Sequence, residues 1–190
     1  NAAVERFTYK FDKAGLYPKD FRVREDEISE AVDSIDPELI RVMKDAYKNI
    51  FEFHRAQIQE DVLIEKAGGA YVKLVNRAIG IAGIYVPGGT APLPSSVLMN
   101  IAPAKAAGVG RIIMCTPPRK DGSVDPAILA AARIAGADEI YRIGGAQAIA
   151  AMAYGTESIP AVDKICGPGN IYVNTAKRLV YGTVDIDMFA

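Results

Sequence analysis

The chain has almost no surplus of either charge, with 22 Lys and Arg standing against 23 Asp and Glu. So even a balance sets up no basic field to attract a phosphate backbone or an anionic membrane, and nucleic acid is excluded as an expected partner. No apolar run approaches the roughly 20 residues that a membrane helix needs, and no basic-then-apolar leader is read at the start. The expectation is therefore no membrane association and a cytoplasmic location. Cysteine is scarce. Cys115 and Cys166 are too few and too far apart for a disulfide framework or a CxxC metal clip, and they are expected to be reduced core thiols. Histidine is scarcer still, since His54 is alone. One histidine and two separated cysteines make a poor zinc site, and neither cysteine has a histidine base nearby in sequence to make it a nucleophile. At helical spacing from Met43, Tyr47 and Ile50, His54 reads as a packed, hydrogen-bonded side chain.

What is present suffices for a folded domain: 190 residues, half of them hydrophobic, can bury one good core and a small second lobe. "VREDEISEAVDSI" and "DPELIRVMKDAYKNIFEFHRAQI" carry helical periodicity, with Leu39, Met43, Ala46, Ile50 and Phe53 on one face and Asp36-Pro37 as N-cap and first helical residue. Their charged residues read as solvated helix faces. "VLIEKAGGAYVKLVNR" holds two β-prone runs separated by Gly68-Gly69, a hairpin pattern. Residues 1–77 are thus expected to form a helical and hairpin lobe. The chain begins on Asn1 and stops in the strand-like "VDIDMFA", so a fragment of a longer protein is expected.

From Ala78 onward a regular rhythm sets in. Short apolar strands centred on Ile84, Ile113, Ile140 and Ile165 recur every 25 to 29 residues, each ending in a Gly or Pro turn and followed by a helical stretch. This alternation predicts an α/β fold: an incomplete Rossmann-like, mostly parallel sheet with flanking helices, occupying 78–190 and truncated at its C-terminal end. Pro103 is expected to break the first of these helices into two pieces.

In such a sheet ligands bind beyond the carboxyl ends of the strands, where Pro87-Gly88-Gly89, Gly144-Gly145 and Gly167-Pro168-Gly169 all fall. Glycine lets backbone approach a ligand, and a following helix offers unpaired N–H groups to a phosphate. Glycines after strands also make ordinary tight turns. No G-x-G-x-x-G occurs, and the second strand ends "MCTPP" where an acid would meet a ribose. Tyr85 near the end of its strand, Gln147 after Gly144-Gly145 and Asn170 after Gly169 are placed to contact a ligand. They read equally as a half-buried strand tyrosine, a helix-surface amide and a helix cap. In "PPRKDGSVDP", Arg119-Lys120 reads as a polar loop tip in preference to a phosphate clamp.

"GIYVPGGTAPLPSSVLM", "RIGGAQAIAAMAYGTESIPAVDKICGPGN", "NTAKRLVYGTVDIDMFA" and "FHRAQ" closely resemble the histidinol dehydrogenase family. The resemblance implies an NAD-dependent, zinc-requiring homodimer that oxidises L-histidinol through histidinal to L-histidine in two successive hydride transfers, in histidine biosynthesis. Carried onto matching positions, it makes Tyr85, Gln147 and Asn170 the NAD-contacting residues. The family's catalytic Glu-His pair and its zinc ligands lie beyond the segment matching Ala190, so no catalytic or metal residue is expected in this chain, and the segment alone is expected to be inactive. Two other readings of the residues stay open: a non-catalytic nucleotide-binding fragment, and another α/β enzyme acting on a phosphorylated metabolite.

Overall fold

The computed structural model describes residues 1–88 and 92–188. Gly89, part of the first glycine turn, lies outside the described residues. The chain opens with α1 (Ala2–Asp12), α2 (Glu25–Ser34) and α3 (Pro37–Arg55). α3 starts as its sequence predicts, with the Asp36 side chain accepting from the Glu38 N–H at 2.8 Å and Pro37 in the first turn, where no N–H is needed. β1 (Val62–Glu65) and β2 (Tyr71–Leu74) then pair antiparallel across Gly68 and Gly69, both at positive φ. Val62, Leu63, Ile64, Tyr71, Val72 and Leu74 of this hairpin are all exposed.

The regular part follows in order: β3 (Ile81–Tyr85), α4 (Pro94–Ala106), β4 (Arg111–Cys115), α5 (Pro126–Ala135), β5 (Glu139–Tyr141), α6 (Gly145–Tyr154), β6 (Lys164–Cys166), α7 (Ile171–Val180) and β7 (Asp185–Ile186). The described strands β3 to β7 form a parallel sheet in the spatial order β5-β4-β3-β6-β7. The chain steps outward from β3 through β4 to β5, then crosses back to β6 on the other side of β3. That reversal defines a topological switch point between β3 and β6.

Strand alternation divides the apolar residues between two cores. Ala82, Ile84, Ile112, Met114 and Ile140 face the layer containing α4 and α5, whereas Tyr85, Ile113, Cys115 and Tyr141 face the layer containing α6 and α7. Near-continuous apolar strands are what two covered faces require. The N-terminal helices join both layers: α1 packs on α6, α2 on α5, and α3 on α4 and α5. Residues 21–23 also run antiparallel along β5, with the Arg142 N–H donating to Phe21 O and the Val23 N–H to Ile140 O, both at 2.8 Å. These bonds occupy backbone groups that an open edge strand would leave unpaired.

Three local expectations need correction. α4 runs unbroken through Pro103; because this proline lies in the last turn, the helix ends soon after the single bond to Met99 that its missing N–H forgoes. On α3 the stripe facing the core is Ile40, Met43, Ala46, Tyr47 and Ile50, while Leu39 and Phe53 are exposed. The acidic run opening α2 is not simply a solvated face: Glu25 pairs with Arg133, and Glu27 pairs with the buried Arg142 at 2.6 Å. Packing α2 against α5 carries these carboxylates onto cations more than 100 residues away in sequence.

Candidate functional site

The carboxyl ends of β3, β4, β5 and β6 lie along one edge of the sheet, as a parallel arrangement requires. Tyr85 closes β3 with its ring buried against the α6/α7 core. Its hydroxyl accepts the Gly145 N–H at 3.0 Å, satisfying one of the orphan donors in the first turn of α6. Burial pushes the Tyr85 phenol up to about 12, so the group keeps its proton and remains a donor at neutral pH. Gln147, two residues further on, is largely buried, and its Nε2 donates to Asp12 Oδ2 at 3.3 Å. Asn170 caps α7: its Oδ1 accepts from the N–H groups of Tyr172 at 3.0 Å and Val173 at 3.1 Å. Asn170 is exposed, and with Oδ1 committed to the cap, the amide nitrogen is the end available to a ligand. Replacing it (Asn170→Ala) is expected to lower stability by about 1 kcal/mol, read as a lower denaturant midpoint.

The glycine turns show the tight-turn packing that is one of the two readings their sequence leaves open. A Cβ on Gly144 would stand 2.6 Å from Pro117, and one on Gly169 would stand 2.3 Å from Val173. At Gly167, φ is +122° and a Cβ would fall 2.0 Å from the Tyr85 carbonyl oxygen. These glycines let the strand-end turns and the first helical turns close on one another, so they shape the rim of the site through protein packing. The Gly167 turn is further clamped. Lys177, buried on α7, donates from Nζ to Gly167 O at 2.6 Å and pairs with Asp187, whose other carboxylate oxygen accepts the Gly167 N–H at 2.7 Å. The expectations had named neither Lys177 nor Asp187. The available signal was a lone cation on the apolar stripe of Val173, Ala176 and Val180.

Between the ends of β3 and β4 lies a hollow of about 370 Å³ lined by Pro87, Gly88, Thr116, Pro117, Asp12 and the Arg119-Lys120 loop. That volume is within the range of small-molecule sites. Arg119 is paired with Asp125, in line with its expected place in a polar loop. Asp12 ends α1, and burial pushes its carboxyl up to about 6. The folded state thus binds this proton more tightly than the unfolded chain does. The cost of ionising Asp12 is absent below the unfolded value of about 3.8, develops as pH rises through 6 and stays constant above. Replacement by asparagine (Asp12→Asn) is therefore expected to raise stability at pH 7.5 by about 1 kcal/mol, the full shift of about 3 kcal/mol being cut by solvent screening, with little gain near pH 3.5. Urea melts at the two pH values check the sign.

A larger hollow of about 660 Å³ lies against the face of β3 and β6 beside α4, lined largely by apolar groups such as Ile79, Met99 and Pro103. It contains none of the strand-end glycine turns, and its polar lining consists of Gln59, Asn76, Arg77, Asn100, Lys164 and Asp187. Burial pushes the Cys115 thiol up to about 12 and the Cys166 thiol up to about 11, so both stay protonated and unreactive near neutral pH. His54 bonds Gln57 through Nδ1 at 3.1 Å and meets Phe53 edge-on. Among the described residues, no group of three or more His, Cys, Asp and Glu is placed to hold a metal ion. A zinc ion therefore does not fit the described residues of this segment. Nor is any described helix long and apolar enough to cross a membrane.

A doubly wound parallel sheet with its polar groups at the carboxyl edge defines a Rossmann-type α/β unit. The family profile described as histidinol dehydrogenase matches residues 1–190. Among curated relatives, the histidinol dehydrogenase of Heliobacterium mobile is 53% identical over 188 residues, covering 99% of this chain and 44% of that protein. The histidinol dehydrogenase of Methanothermobacter thermautotrophicus is 51% identical over 185 residues, covering 97% of this chain and 43% of that protein. The crystal structure of histidinol dehydrogenase from Elizabethkingia anophelis superposes with a TM-score of 0.94 at 46% identity, covering the whole of this chain and 44% of that one. This chain belongs to the histidinol dehydrogenase family. It spans less than half the length of the relatives it matches.

Proposed function

We propose that this chain is the NAD-binding portion of a histidinol dehydrogenase, acting in the cytoplasm in histidine biosynthesis. The whole protein oxidises L-histidinol through histidinal to L-histidine, with zinc held by residues outside this segment. Family membership along the full 190 residues is the observation that carries this reading. Within the segment, 78–190 forms the cofactor domain and 1–77 a helical and hairpin lobe that buttresses it.

In this reading NAD lies along the carboxyl edge of the sheet and supplies the hydride acceptor. Tyr85 offers a protonated hydroxyl already oriented by the Gly145 N–H. Gln147 offers a side-chain amide held by Asp12, and Asn170 offers an amide nitrogen at the first turn of α7. None of these removes a proton from an alcohol. Oxidation also needs a base for the hydroxyl proton and a Lewis acid for the alkoxide, and both are proposed to come from the rest of the protein. Homodimerisation is part of this reading, and the apolar residues exposed on the β1-β2 hairpin offer a surface for the second subunit or for the rest of the protein, since a two-stranded unit of this kind is marginal without something packed on it.

The test is turnover by the full-length protein. L-Histidinol and NAD are expected to give NADH and L-histidine, and chelation of zinc is expected to stop the reaction. Full-length protein that is folded and loaded with zinc, yet forms no NADH from L-histidinol, would overturn the reading.

A further inference from the structure

Resting on the reading of the strand-end hollow as a dinucleotide site, we propose that Asp12 is a specificity-determining residue. Its carboxylate bonds the hydroxyls of the cofactor's adenosine ribose and turns away a 2′-phosphate, so that the protein selects NAD over NADP.

In a sheet of this order the acid that bonds that ribose ordinarily stands at the end of the second strand of the unit. Here the second strand is β4, and the residues after it are Thr116, Pro117 and Pro118. None is acidic, and the two prolines lack even a backbone N–H. The structure brings a carboxylate to the same place from far away in sequence. Asp12 is the last residue of α1, where Lys13 turns the chain out of the helix at φ +60°. It lines the same hollow as Gly88, Thr116 and Pro117.

The placement is built, as three features indicate. α1 packs against α6, and its far end is tied down by the Asn1 side chain, which donates to Ser158 at 2.7 Å. Gln147, itself proposed to contact the cofactor, holds one oxygen of Asp12. The carboxyl is drawn partly out of water with no cation ion-paired to it among the described residues, whereas Glu27 and Glu139 are matched by arginines. A desolvated acid lacking such a partner is costly for stability alone and suits a group that meets a ligand. The charged lining of the hollow balances, since Arg119 is compensated by Asp125 and Lys120 at the exposed loop offsets Asp12, so the discrimination is local to the Asp12 side. A 2′-phosphate entering there would meet a like charge, while ribose hydroxyls would meet an acceptor.

The experiment measures kcat/KM of the full-length enzyme with NAD and with NADP, for wild type and for Asp12→Asn and Asp12→Ser, with circular dichroism confirming the fold. It is paired with amide hydrogen exchange of wild type with and without NAD. The expected result is preference for NAD in the wild type and a fall in the NAD-to-NADP ratio of about tenfold or more in both variants, as loss of a charged hydrogen bond and of like-charge repulsion requires. If Asp12 only braces Gln147, the variants change stability or the KM for both nucleotides together and leave the ratio unmoved. That result would overturn the proposal. Protection of Thr116–Lys120 by NAD with an unmoved ratio leaves the cofactor site standing and removes Asp12 from it. Absence of NAD protection along this edge would sink the site reading itself and the proposal with it.

Discussion

Gly167→Ala is expected to destabilise the protein by about 3–5 kcal/mol and to cut NAD affinity at least tenfold. Two costs combine at this residue. Its φ of +122° lies where side chains are strained, and the added Cβ would stand 2.0 Å from the Tyr85 carbonyl oxygen. Strain alone accounts for about 1–3 kcal/mol. The contact is far below any van der Waals separation and is made to backbone, so a rotamer change cannot relieve it. β3 and β6 must part at the switch point, with loss of pairing such as Ile84 with Cys166. Gly68→Ala in the hairpin turn isolates the strain contribution, because Gly68 also has positive φ (+87°) but nothing within 4 Å of its Cβ position. That control is expected to lose about 1 kcal/mol and to leave NAD affinity unchanged. Urea denaturation and NAD titration of the two full-length variants make the comparison. Equal losses in both would mean that the Tyr85 contact contributes nothing.

Lys177→Met is expected to cost about 3 kcal/mol. Methionine nearly reproduces the stem of lysine, so the loss reports the ammonium group rather than a cavity. Removing it deprives Gly167 O of its donor and leaves Asp187 without its cation, and breaking a buried pair from one side costs far more than the pair itself contributes. Asp187 is a quarter exposed, which places the expectation at the low end of the range for such pairs. Asp187→Asn should be milder, since the amide oxygen can still accept the Gly167 N–H. The double variant is expected to be less destabilised than the sum of the two by about 1–2 kcal/mol, the coupling of residues in one network. Strict additivity in a double-mutant cycle would refute the clamp.

The sheet was legible in the sequence because each strand is a short apolar run closed by glycine or proline, a pattern that depends only on local chemistry. Ile113, Ile140 and Ile165 sit at the middle of their strands as read, and Asp36-Pro37 starts α3 where capping chemistry puts it. Legibility ended where a long-range contact decides the outcome. Leu39 and Met43 look alike on a helical wheel, and only the placement of α3 on α4 and α5 buries one and exposes the other. The acids opening α2 have the composition of a solvated face, yet Arg142 waits for Glu27 across the domain. Pro103 shows a different kind of shortfall: proline forbids a helix interior but tolerates a final turn, and the position of the helix end decided which applied.

The site divided in the same way. Tyr85, Gln147 and Asn170 were marked by adjacency to glycine turns at strand ends, and the structure also gives each a structural duty: a hydroxyl that accepts from α6, an amide that grips Asp12, and a helix cap. Asp12 carried no local signal at all, since it ends a helix roughly 100 residues before the β4 turn it faces. Of the two readings open to the glycine turns, the tight-turn one is visible at Gly144, Gly167 and Gly169, where the missing Cβ admits neighbouring protein atoms.

The central claim, that NAD lies along this carboxyl edge, is tested most directly by a crystal structure of the full-length protein with NAD bound. The expected result is the dinucleotide within hydrogen-bond reach of Tyr85, Gln147 and Asn170, with its adenosine ribose in the hollow beside Asp12 and Thr116. Well-defined NAD bound wholly to the part of the protein beyond this segment, with none of these residues touching it, would contradict the account.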